Sequence, residues 1–401
     1  MNTMGPLHGI KVLDLSSVIL GPMACQYLGD AGAEVVKIES PEGDITRAIG
    51  PRRSEAMGAL FLANNRNKRS IVLDLKQPEG RSALQHLVAR ADVLLHSIRT
   101  ASAARIGLSY EAVAAVNPRL VYCHVTGFAD DGPYGGRAAY DDIVQSLCGL
   151  AMLQKVAAGE PRYVPSIVAD KITAVHAAYG VALALFHRER TGQGGEVKVP
   201  MLETMTAFTM QEHLGGAVFE PPLGAMGYAP VRQGMRKPFR TRDGFICLMP
   251  YTDANWRQLL DLVERPDLAA DPGLTTLRGR QADIERVWNQ VAELGTTRSN
   301  AEWEQLLCDS DIPYAVLNDL EDLLDDPHLV ATGFWEMREH PTEGMLRLPA
   351  PPLQMPGSPA SIRRLPPRLG EHTQEVLREY AFQDEAHLQQ NSRPPERNAI
   401  Q

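Results

Sequence analysis

The chain has 401 residues, 44% of them apolar and 22% charged, which is the composition of a folded protein long enough for two domains. Its net charge of −9 argues against nucleic acid or a membrane surface as a general partner, although a local cation cluster could bind a small polyanion. Five widely spaced cysteines indicate reduced core residues of a cytoplasmic protein. No metal-ligand spacing appears, and no apolar run is expected to reach the length of a membrane span.

The first half of the chain alternates short β-branched runs with helical stretches. Strands are predicted at 9–15, 34–39, 71–75, 92–95, 120–125 and 196–199. Helices are predicted at 79–91, 141–153 and about 170–190. This alternation indicates an α/β fold, with a Rossmann-like parallel sheet covered by helices.

The pattern changes after a Gly- and Pro-rich crossing at 215–230. A hairpin turn is predicted at 241–245, and helices are predicted at 255–263, 281–294 and 301–308. We therefore expect a large domain of 1–225, to which 326–401 returns, and a smaller α+β domain of 226–325. Within the returning segment, 335–355 is extended, and the Pro-rich tail 363–401 either wraps the domain or hangs free.

Asp170 directly follows an apolar run at the head of an Ala-rich helical stretch. Water normally solvates a carboxylate and weakens it as a nucleophile, but in a drier site the same group can attack an activated carbonyl. The alternative is a helix N-cap, because Asp is favoured at that position. This stretch alone leaves both interpretations open.

Two common α/β site types are poorly supported. The turn after the first strand, 16–22, contains the single glycine Gly21 and no GxGxxG series, so Glu39 at the end of the second strand does not indicate NAD binding. No GxSxG motif for a Ser-His-Asp hydrolase is present.

Cations cluster near the ends of two predicted strands. Lys76 follows the strand at 71–75, and Arg99 and Arg105 follow the strand at 92–95. Ligands bind at the carboxyl ends of parallel strands, so these cations are candidates for binding phosphates. Arg66, Lys68 and Arg69 precede the strand at 71–75, and ordinary solvation is the alternative for all six.

Several segments, taken in order, resemble the class III CoA-transferases. They are 6–15 with Gly21-Pro22, 32–39, 43–47, 67–76, 140–145, Ala169-Asp170, 190–194 and 369–373. Two positions depart from the family pattern. Ser97-Ile98-Arg99-Thr100-Ala101 replaces Asn-Phe-Arg-Pro-Gly, and Ser40 stands where some members have arginine.

The resemblance implies that Asp170 is the catalytic aspartate and that the partners are an acyl-CoA, a small carboxylic acid and a second copy in an interlocked homodimer. It implies a coenzyme A site lined by residues of four segments. These are Val18, Ile19 and Leu20; Leu73, Asp74, Leu75 and Lys76; Ser97, Ile98, Arg99 and Arg105; and Ala138, Tyr140 and Asp141.

The implied reaction moves coenzyme A between carboxylic acids through an aspartyl anhydride and an aspartyl-CoA thioester, with no metal. A carboxylate ionised at neutral pH needs no general base for this chemistry. The alternative is a 2-methylacyl-CoA racemase of the same fold. Racemases show a histidine where this chain has Tyr140, and His176 is expected to be a packed helix residue.

The acid-binding loop is less clearly marked. Gly224 and Gly227 are the nearest counterpart of the family's Gly-rich gating loop. Arg232 and Arg236 follow in a basic turn. These arginines belong either to an ordinary solvated loop or to a site for a second carboxylate, which would make a dicarboxylic acid the preferred substrate.

Overall fold

The computed structural model describes residues 4–380. In its first part the elements are β1 (Lys11–Leu15), α1 (Leu20–Asp30), β2 (Glu34–Glu39), α2 (Ala59–Asn64), β3 (Lys68–Val72), α3 (Pro78–Val88), β4 (Val93–His96), α4 (Thr100–Arg105), α5 (Tyr110–Val116), β5 (Val121–Thr126), α6 (Asp141–Leu147), α7 (Leu150–Ala158), α8 (Val168–Thr191), β6 (Gly195–Pro200) and α9 (Met201–His213).

The remaining elements are α10 (Ala229–Arg232), β7 (Phe239–Arg240), β8 (Phe245–Leu248), α11 (Asp253–Leu262), α12 (Pro266–Ala269), α13 (Pro272–Thr275), α14 (Leu277–Ala282), α15 (Ile284–Gly295), α16 (Asn300–Leu307), β9 (Tyr314–Val316), α17 (Pro327–Ala331), β10 (Trp335–His340), β11 (Gly344–Pro349) and a helix at 373–380. Short 3₁₀ turns lie at Ile45–Ala48, Gly215–Val218 and Asp322–Leu324.

Within the described residues, one compact unit comprises 4–154, 161–211 and 333–380, and the other comprises 155–160 and 212–332. The range 226–325, predicted as a small domain, lies inside the second unit. The tail prediction for 363–401 falls partly on 381–401, which lie outside the described residues.

The first unit is built on a six-stranded sheet in the order β3-β2-β1-β4-β5-β6. Every neighbouring pair is parallel, so the predicted α/β fold with a parallel sheet is confirmed. Apolar side chains cover both faces: α1 and α8 contribute to one core, and α3, α5 and the 373–380 helix contribute to the other. Burial of these faces is the main favourable term in the stability of the unit.

The predicted third strand is three residues out of place. The sequence analysis put it at 71–75, whereas β3 runs from Lys68 to Val72 and pairs with β2 from Val35↔Lys68 to Glu39↔Val72. Lys68 is fully buried because its ammonium donates to Asp14 Oδ2 at 2.9 Å and to two further oxygens. A charged residue can begin a buried strand when its partners are buried with it.

The three cations that precede the predicted strand at 71–75 are held by carboxylates. Arg66 pairs with Asp30 at 2.7 Å, Lys68 with Asp14, and Arg69 with carboxylates of the 373–380 helix. All three cations are buried, so the alternative of ordinary solvation does not apply to them.

Helix α8 is long and apolar enough to cross a membrane when judged by length and composition alone, so the expectation that no run reaches that length was wrong. A core helix has the same properties. One face of α8 packs in the sheet core through Ala169, Ala174, Ala177, Val181 and Leu185. Val175, Tyr179, Leu183 and Phe186, spaced at helical intervals, are 50–63% exposed on the other side.

In the second unit, β7, β8 and β9 form an antiparallel sheet. The predicted hairpin turn at 241–245 joins β7 to β8, and the three predicted helices correspond to α11, α15 and α16. These helices and the sheet enclose a separate apolar core around Trp256 and Trp303.

Candidate active site

The strand order reverses between β1 and β4, because the chain runs outward from β1 to β3 and then returns to β4 on the other side. In open α/β sheets, the crevice at the carboxyl end of such a reversal is where ligands bind. The turns that follow β1 and β4 are therefore the expected walls of a site.

A cavity of about 320 Å³ lies at this edge and contains Asp170. We call it the Asp170 cavity. Its other lining residues come from the turns after β1, β4 and β5 and from the segments that precede α6 and begin α9. They are Ser17, Val18, Leu20, Ser97, Arg99, Thr100, Val125, Thr126, Gly127, Phe128, Asp130, Gly136, Arg137, Ala138, Ala139, Tyr140 and Met201.

Asp170 is the third residue of α8, and its side chain does not cap the helix. The capping oxygen comes from another element: Asp141 Oδ1 accepts the backbone N–H groups of Ala169 at 2.7 Å and Asp170 at 3.1 Å. The N-cap interpretation of Asp170 is therefore wrong, because Asp141 supplies that function.

Gln145, one turn after Asp141 in α6, holds this arrangement. Its amide nitrogen donates to Asp141 Oδ2 at 2.6 Å, and its amide oxygen accepts the backbone N–H of Val164 at 2.9 Å. Gln145 is fully buried, so the start of α8 is tied to α6 by polar contacts shielded from water.

Burial, together with the negative charge of Asp141, raises the pKa of Asp170 to about 7. Asp170 is only 9% exposed, so water stabilises its ionised form poorly. The expectation of a fully ionised carboxylate at neutral pH therefore needs correction, because a pKa near 7 leaves about half of the molecules protonated at pH 7. A strongly perturbed carboxyl group in a cavity is typical of a functional site.

A second cavity of about 350 Å³ lies at the same edge of the sheet, beside the ends of β1, β2, β3 and β4. We call it the Lys76 cavity. Its lining includes Leu73, Asp74, Leu75, Lys76, Ile98 and Arg81. The residue run 97–99 separates the two cavities, since Ser97 and Arg99 line the Asp170 cavity and Ile98 lines the Lys76 cavity.

The turn after β1 has an unusual backbone. Val18 has φ +71°, a left-handed conformation that is costly for a β-branched residue. Buried charges hold the turn: Lys37 Nζ donates to Ser16 O at 2.9 Å and pairs with Asp44, and Asp44 Oδ1 accepts the Val18 N–H at 3.3 Å. The turn that faces Asp170 is thus fixed by an ion pair beneath it.

Most residues that the resemblance placed at a coenzyme A site meet in these two cavities. Val18, Leu20, Ser97, Arg99, Ala138 and Tyr140 line the Asp170 cavity, and Leu73–Lys76 and Ile98 line the other.

Three predicted residues line neither cavity. Ile19 is buried at the start of α1, Asp141 is buried behind Asp170, and Arg105 is exposed in the last turn of α4, where it donates to Ser102 Oγ at 2.8 Å. The sequence marked the segments, but it did not distinguish residues that line a cavity from residues that lie behind its wall.

The loop residues proposed for the acid lie in the second unit. Arg232 donates to Met226 O at 3.0 Å, and its aliphatic part lies against Gly227, where a Cβ would be 2.3 Å from Arg232 Cδ. Gly227 has φ +97°, a backbone conformation that favours glycine. Gly224 approaches the backbone of Gly216, and Arg236 is exposed.

Sequence reasoning missed the contribution of the segment after β5. Gly127 and Phe128 line the Asp170 cavity, as does Arg137, whose guanidinium lies 4.7 Å from the ring centroid of Tyr134. The signal was available, because the carboxyl end of a central parallel strand borders the crevice and Arg137 is a cation a few residues upstream of Tyr140.

Glu39 is not available to a ribose. Both its carboxylate oxygens accept from Arg47 at 2.8 Å, and one also accepts from Ser70 Oγ at 2.6 Å. Across residues 4–380, no group of three or more His, Cys, Asp or Glu side chains is arranged to hold a metal ion.

A model of CoA-transferase family III matches residues 7–373, which is nearly the whole chain. The chain belongs to this family and is an enzyme of the CoA-transferase type. The resemblance drawn from the sequence motifs is confirmed.

Curated relatives match the chain over most of their length. A succinate–glutarate CoA-transferase of Agrobacterium fabrum is 33% identical, covering 94% of this chain and 96% of the relative. A formyl-CoA:oxalate CoA-transferase of Streptomyces coelicolor is 31% identical, covering 93% and 95%. The crystal structure of a CaiB/BaiF family protein from Brucella suis superposes with a TM-score of 0.79 at 29% identity, covering 94% of this chain and all of that one.

The raised pKa of Asp170 predicts a pH-dependent gain in stability for Asp170→Asn. The Asp170 carboxyl group binds its proton more tightly in the folded chain than in the unfolded chain. The free energy of unfolding therefore falls as pH rises from the unfolded pKa of about 4 to the folded pKa of about 7. Removing the charge should raise the free energy of unfolding by roughly 2–3 kcal/mol more at pH 8 than at pH 5. Urea titrations at both pH values measure the difference.

The matched control is Asp131→Asn, which neutralises an exposed carboxylate and should change stability equally little at both pH values. An Asp170→Asn gain that is the same at pH 5 and pH 8 would show that the Asp170 pKa is not raised.

Proposed function

We propose that this enzyme transfers coenzyme A from an acyl-CoA thioester to a free carboxylic acid, with Asp170 as the nucleophile. The observation that carries the proposal is that the Asp170 carboxyl group is poorly hydrated and lines a cavity at the strand-order reversal. Its backbone N–H, in the first turn of α8, is held by Asp141. Family membership supports the reaction class.

In the first half-reaction, an Asp170 carboxylate oxygen attacks the thioester carbonyl, and the C–S bond breaks to give a mixed anhydride and CoA thiolate. The thiolate then attacks the aspartyl carbonyl. The anhydride C–O bond breaks, the donor acid leaves as a carboxylate, and an aspartyl-CoA thioester remains. No net proton is consumed, so the site needs no general acid.

In the second half-reaction, the incoming carboxylate attacks the aspartyl thioester and expels CoA thiolate, which then attacks the acyl carbonyl of the new anhydride. The new thioester leaves, and Asp170 returns to its ionised form. One oxygen of the acceptor acid stays on Asp170. Because each step exchanges one activated carbonyl for another, positioning and exclusion of water are the enzyme's main contributions.

The two cavities suit the two ends of a long CoA thioester. We place the thioester in the Asp170 cavity and the nucleotide end in the Lys76 cavity, where Lys76 and Arg81 offer positive charge to phosphates. The run 97–99 would then lie under the middle of the ligand, with Arg99 on the Asp170 side.

The racemase alternative is not favoured. Proton exchange needs a base with a pKa near neutrality beside the α-carbon, and the residues that line the Asp170 cavity, all within 4–380, include no histidine. Relatives that match over almost the whole chain are CoA-transferases.

Covalent labelling tests the role of Asp170. During turnover with succinyl-CoA and ¹⁸O-labelled glutarate, one ¹⁸O atom should enter Asp170, and borohydride should reduce the aspartyl thioester to an alcohol on the same peptide. Asp170→Ala should lower kcat by about a thousandfold or more, since no other group can form the intermediate. Peptide mass spectrometry and thioester analysis give both results.

Asp142→Ala serves as the control, because this exposed neighbour in α6 lies outside the lining of the cavity and should leave turnover near wild type. Transfer activity in Asp170→Ala, or ¹⁸O that never reaches the protein, would contradict an aspartyl intermediate.

We propose a dicarboxylic acid as the acid partner. The relatives' names pair CoA with succinate, glutarate, mesaconate or oxalate, each of which carries a second carboxylate. In this chain, Arg137 lines the Asp170 cavity, and Arg232 and Arg236 lie in the basic loop predicted from the sequence. An arginine is suited to bind that second carboxylate through two hydrogen bonds.

Arginine substitution separates these candidates. The variant that removes the acid-binding arginine should raise the KM for glutarate by about tenfold or more and leave the KM for the donor thioester of a monocarboxylic acid unchanged. Arg232→Ala, Arg236→Ala and Arg137→Ala are compared against glutarate and butyrate as acceptors. If all three variants treat both acids as wild type does, none of these arginines binds the second carboxylate.

We also propose that the enzyme is an interlocked homodimer. The apolar stripe of α8 formed by Val175, Tyr179, Leu183 and Phe186 is 50–63% exposed in the single chain. Patches of this kind on a folded chain mark interaction surfaces, and a second copy is the partner that the family resemblance implies.

A charge placed in the stripe should destabilise this dimer. Wild type should keep twice the 44.0 kDa chain mass on dilution to nanomolar concentration, because interlocked chains separate slowly. Tyr179→Glu should dissociate or fail to assemble, whereas His187→Glu on the same helix, at an exposed polar position, should remain dimeric. Native mass spectrometry distinguishes the species, and a folded wild-type monomer would contradict the proposal.

A further inference from the structure

Two histidines lie side by side beneath the run 97–99. His96 ends β4, His124 lies in β5, and the two are register partners in the parallel sheet. Their rings are stacked, with centroids 4.3 Å apart, and both side chains are buried. Neither histidine lines either cavity, so the reaction steps described above do not use them.

The two imidazoles hold one residue of the loop from both sides. The Ile98 backbone N–H donates to His96 Nδ1 at 3.2 Å, and His124 Nε2 lies 2.9 Å from the Ile98 carbonyl oxygen. A carbonyl only accepts and an amide N–H only donates. His124 must therefore carry a proton on Nε2, and His96 must present a free lone pair on Nδ1.

The other nitrogen of His96 completes the assignment. Tyr122 Oη donates its only proton to Leu108 O at 2.7 Å, so its oxygen accepts from His96 Nε2, also at 2.7 Å. His96 is thus the neutral tautomer with its proton on Nε2. Burial lowers the pKa of His96 to about 3 and also lowers the pKa of His124, which agrees with neutral rings.

The position of the Ile98 backbone determines which side chains of the run 97–99 line each cavity. Ser97 and Arg99 line the Asp170 cavity on one side of the run, and the Ile98 side chain lines the Lys76 cavity on the other. Rotation of the Ile98 peptide would turn all three side chains. Helix α4, which follows, has no side-chain cap at Arg99, so the imidazoles are the side-chain contacts that hold the Ile98 backbone.

We propose that His96 and His124 are positioning residues for coenzyme A, which fix the Ile98 peptide so that one thioester can bind across both cavities. This inference rests on the proposed function, because it requires CoA to extend over the run 97–99. The residues act through the loop backbone and do not touch the reacting atoms.

Amide substitutions separate the two nitrogens of each ring. An asparagine amide lies near the Nδ1 position and a glutamine amide near the Nε2 position. His96→Asn retains an acceptor for Ile98 N–H, and His124→Gln retains a donor for Ile98 O, so both should bind CoA within about twofold of wild type. His96→Gln and His124→Asn lose those contacts and should weaken CoA binding by about tenfold.

Calorimetry of free CoA binding to the intact chain gives Kd, and steady-state kinetics give the KM for the thioester beside kcat. The inference expects opposite rankings of Asn and Gln at the two positions in Kd and KM, with kcat changed less. Thermal unfolding is measured for all four variants. If substitution of one histidine prevents folding, the Asn and Gln variants of the other histidine are compared with each other.

A purely structural role would make CoA affinity follow the unfolding temperature irrespective of which amide is present, and that result would overturn the inference while leaving the CoA-transferase proposal intact. Wild type that fails to bind CoA at all would overturn both. Equal affinity of all four variants, with normal stability, would show that the imidazoles do not position the loop.

Discussion

The candidate active site depends on the contact between the Asp141 carboxylate and the first turn of α8, the helix that carries Asp170. Asp141 accepts the first free N–H groups of α8 and places Asp170 in the first turn, facing a cavity. The helix N-terminus would stabilise an ionised Asp170 and lower its pKa, but Asp141 already uses the N–H groups there and adds its own negative charge. Burial and the charge of Asp141 together raise the pKa of Asp170 to about 7.

In the proposed mechanism Asp170 is a nucleophile, and a pKa near neutrality is a compromise for that role. Protonation removes part of the nucleophile at neutral pH and so lowers the rate. In return, the ionised form is less hydrated and more basic, and both properties favour attack on a thioester.

The sequence predicted the parallel sheet and the order of its elements because those depend on local patterns. Alternation of β-branched runs with helices indicated a parallel sheet, and Asp170 at the head of an apolar helix marked the carboxylate. The errors have a common physical origin. Lys68 and Arg69 suggested a loop, yet they begin β3 because Asp14 and two helix carboxylates, distant in sequence, neutralise them. Asp141 was expected to line the site, but its role as a cap depends on a contact 28 residues away.

The charged groups beneath the site explain why its turns need so little glycine. A phosphate-binding turn usually obtains its shape from several glycines, whereas the turn after β1 places Val18 at φ +71° and is held by Lys37 and Asp44. The run after β4 is held in the same way by His96 and His124, with neutral rings in place of an ion pair. In both turns, side chains of the neighbouring strand or loop bind the backbone from below. The wall of the cavity is therefore specified by buried polar residues that do not line it, and substitutions there should change ligand binding although no lining residue is substituted.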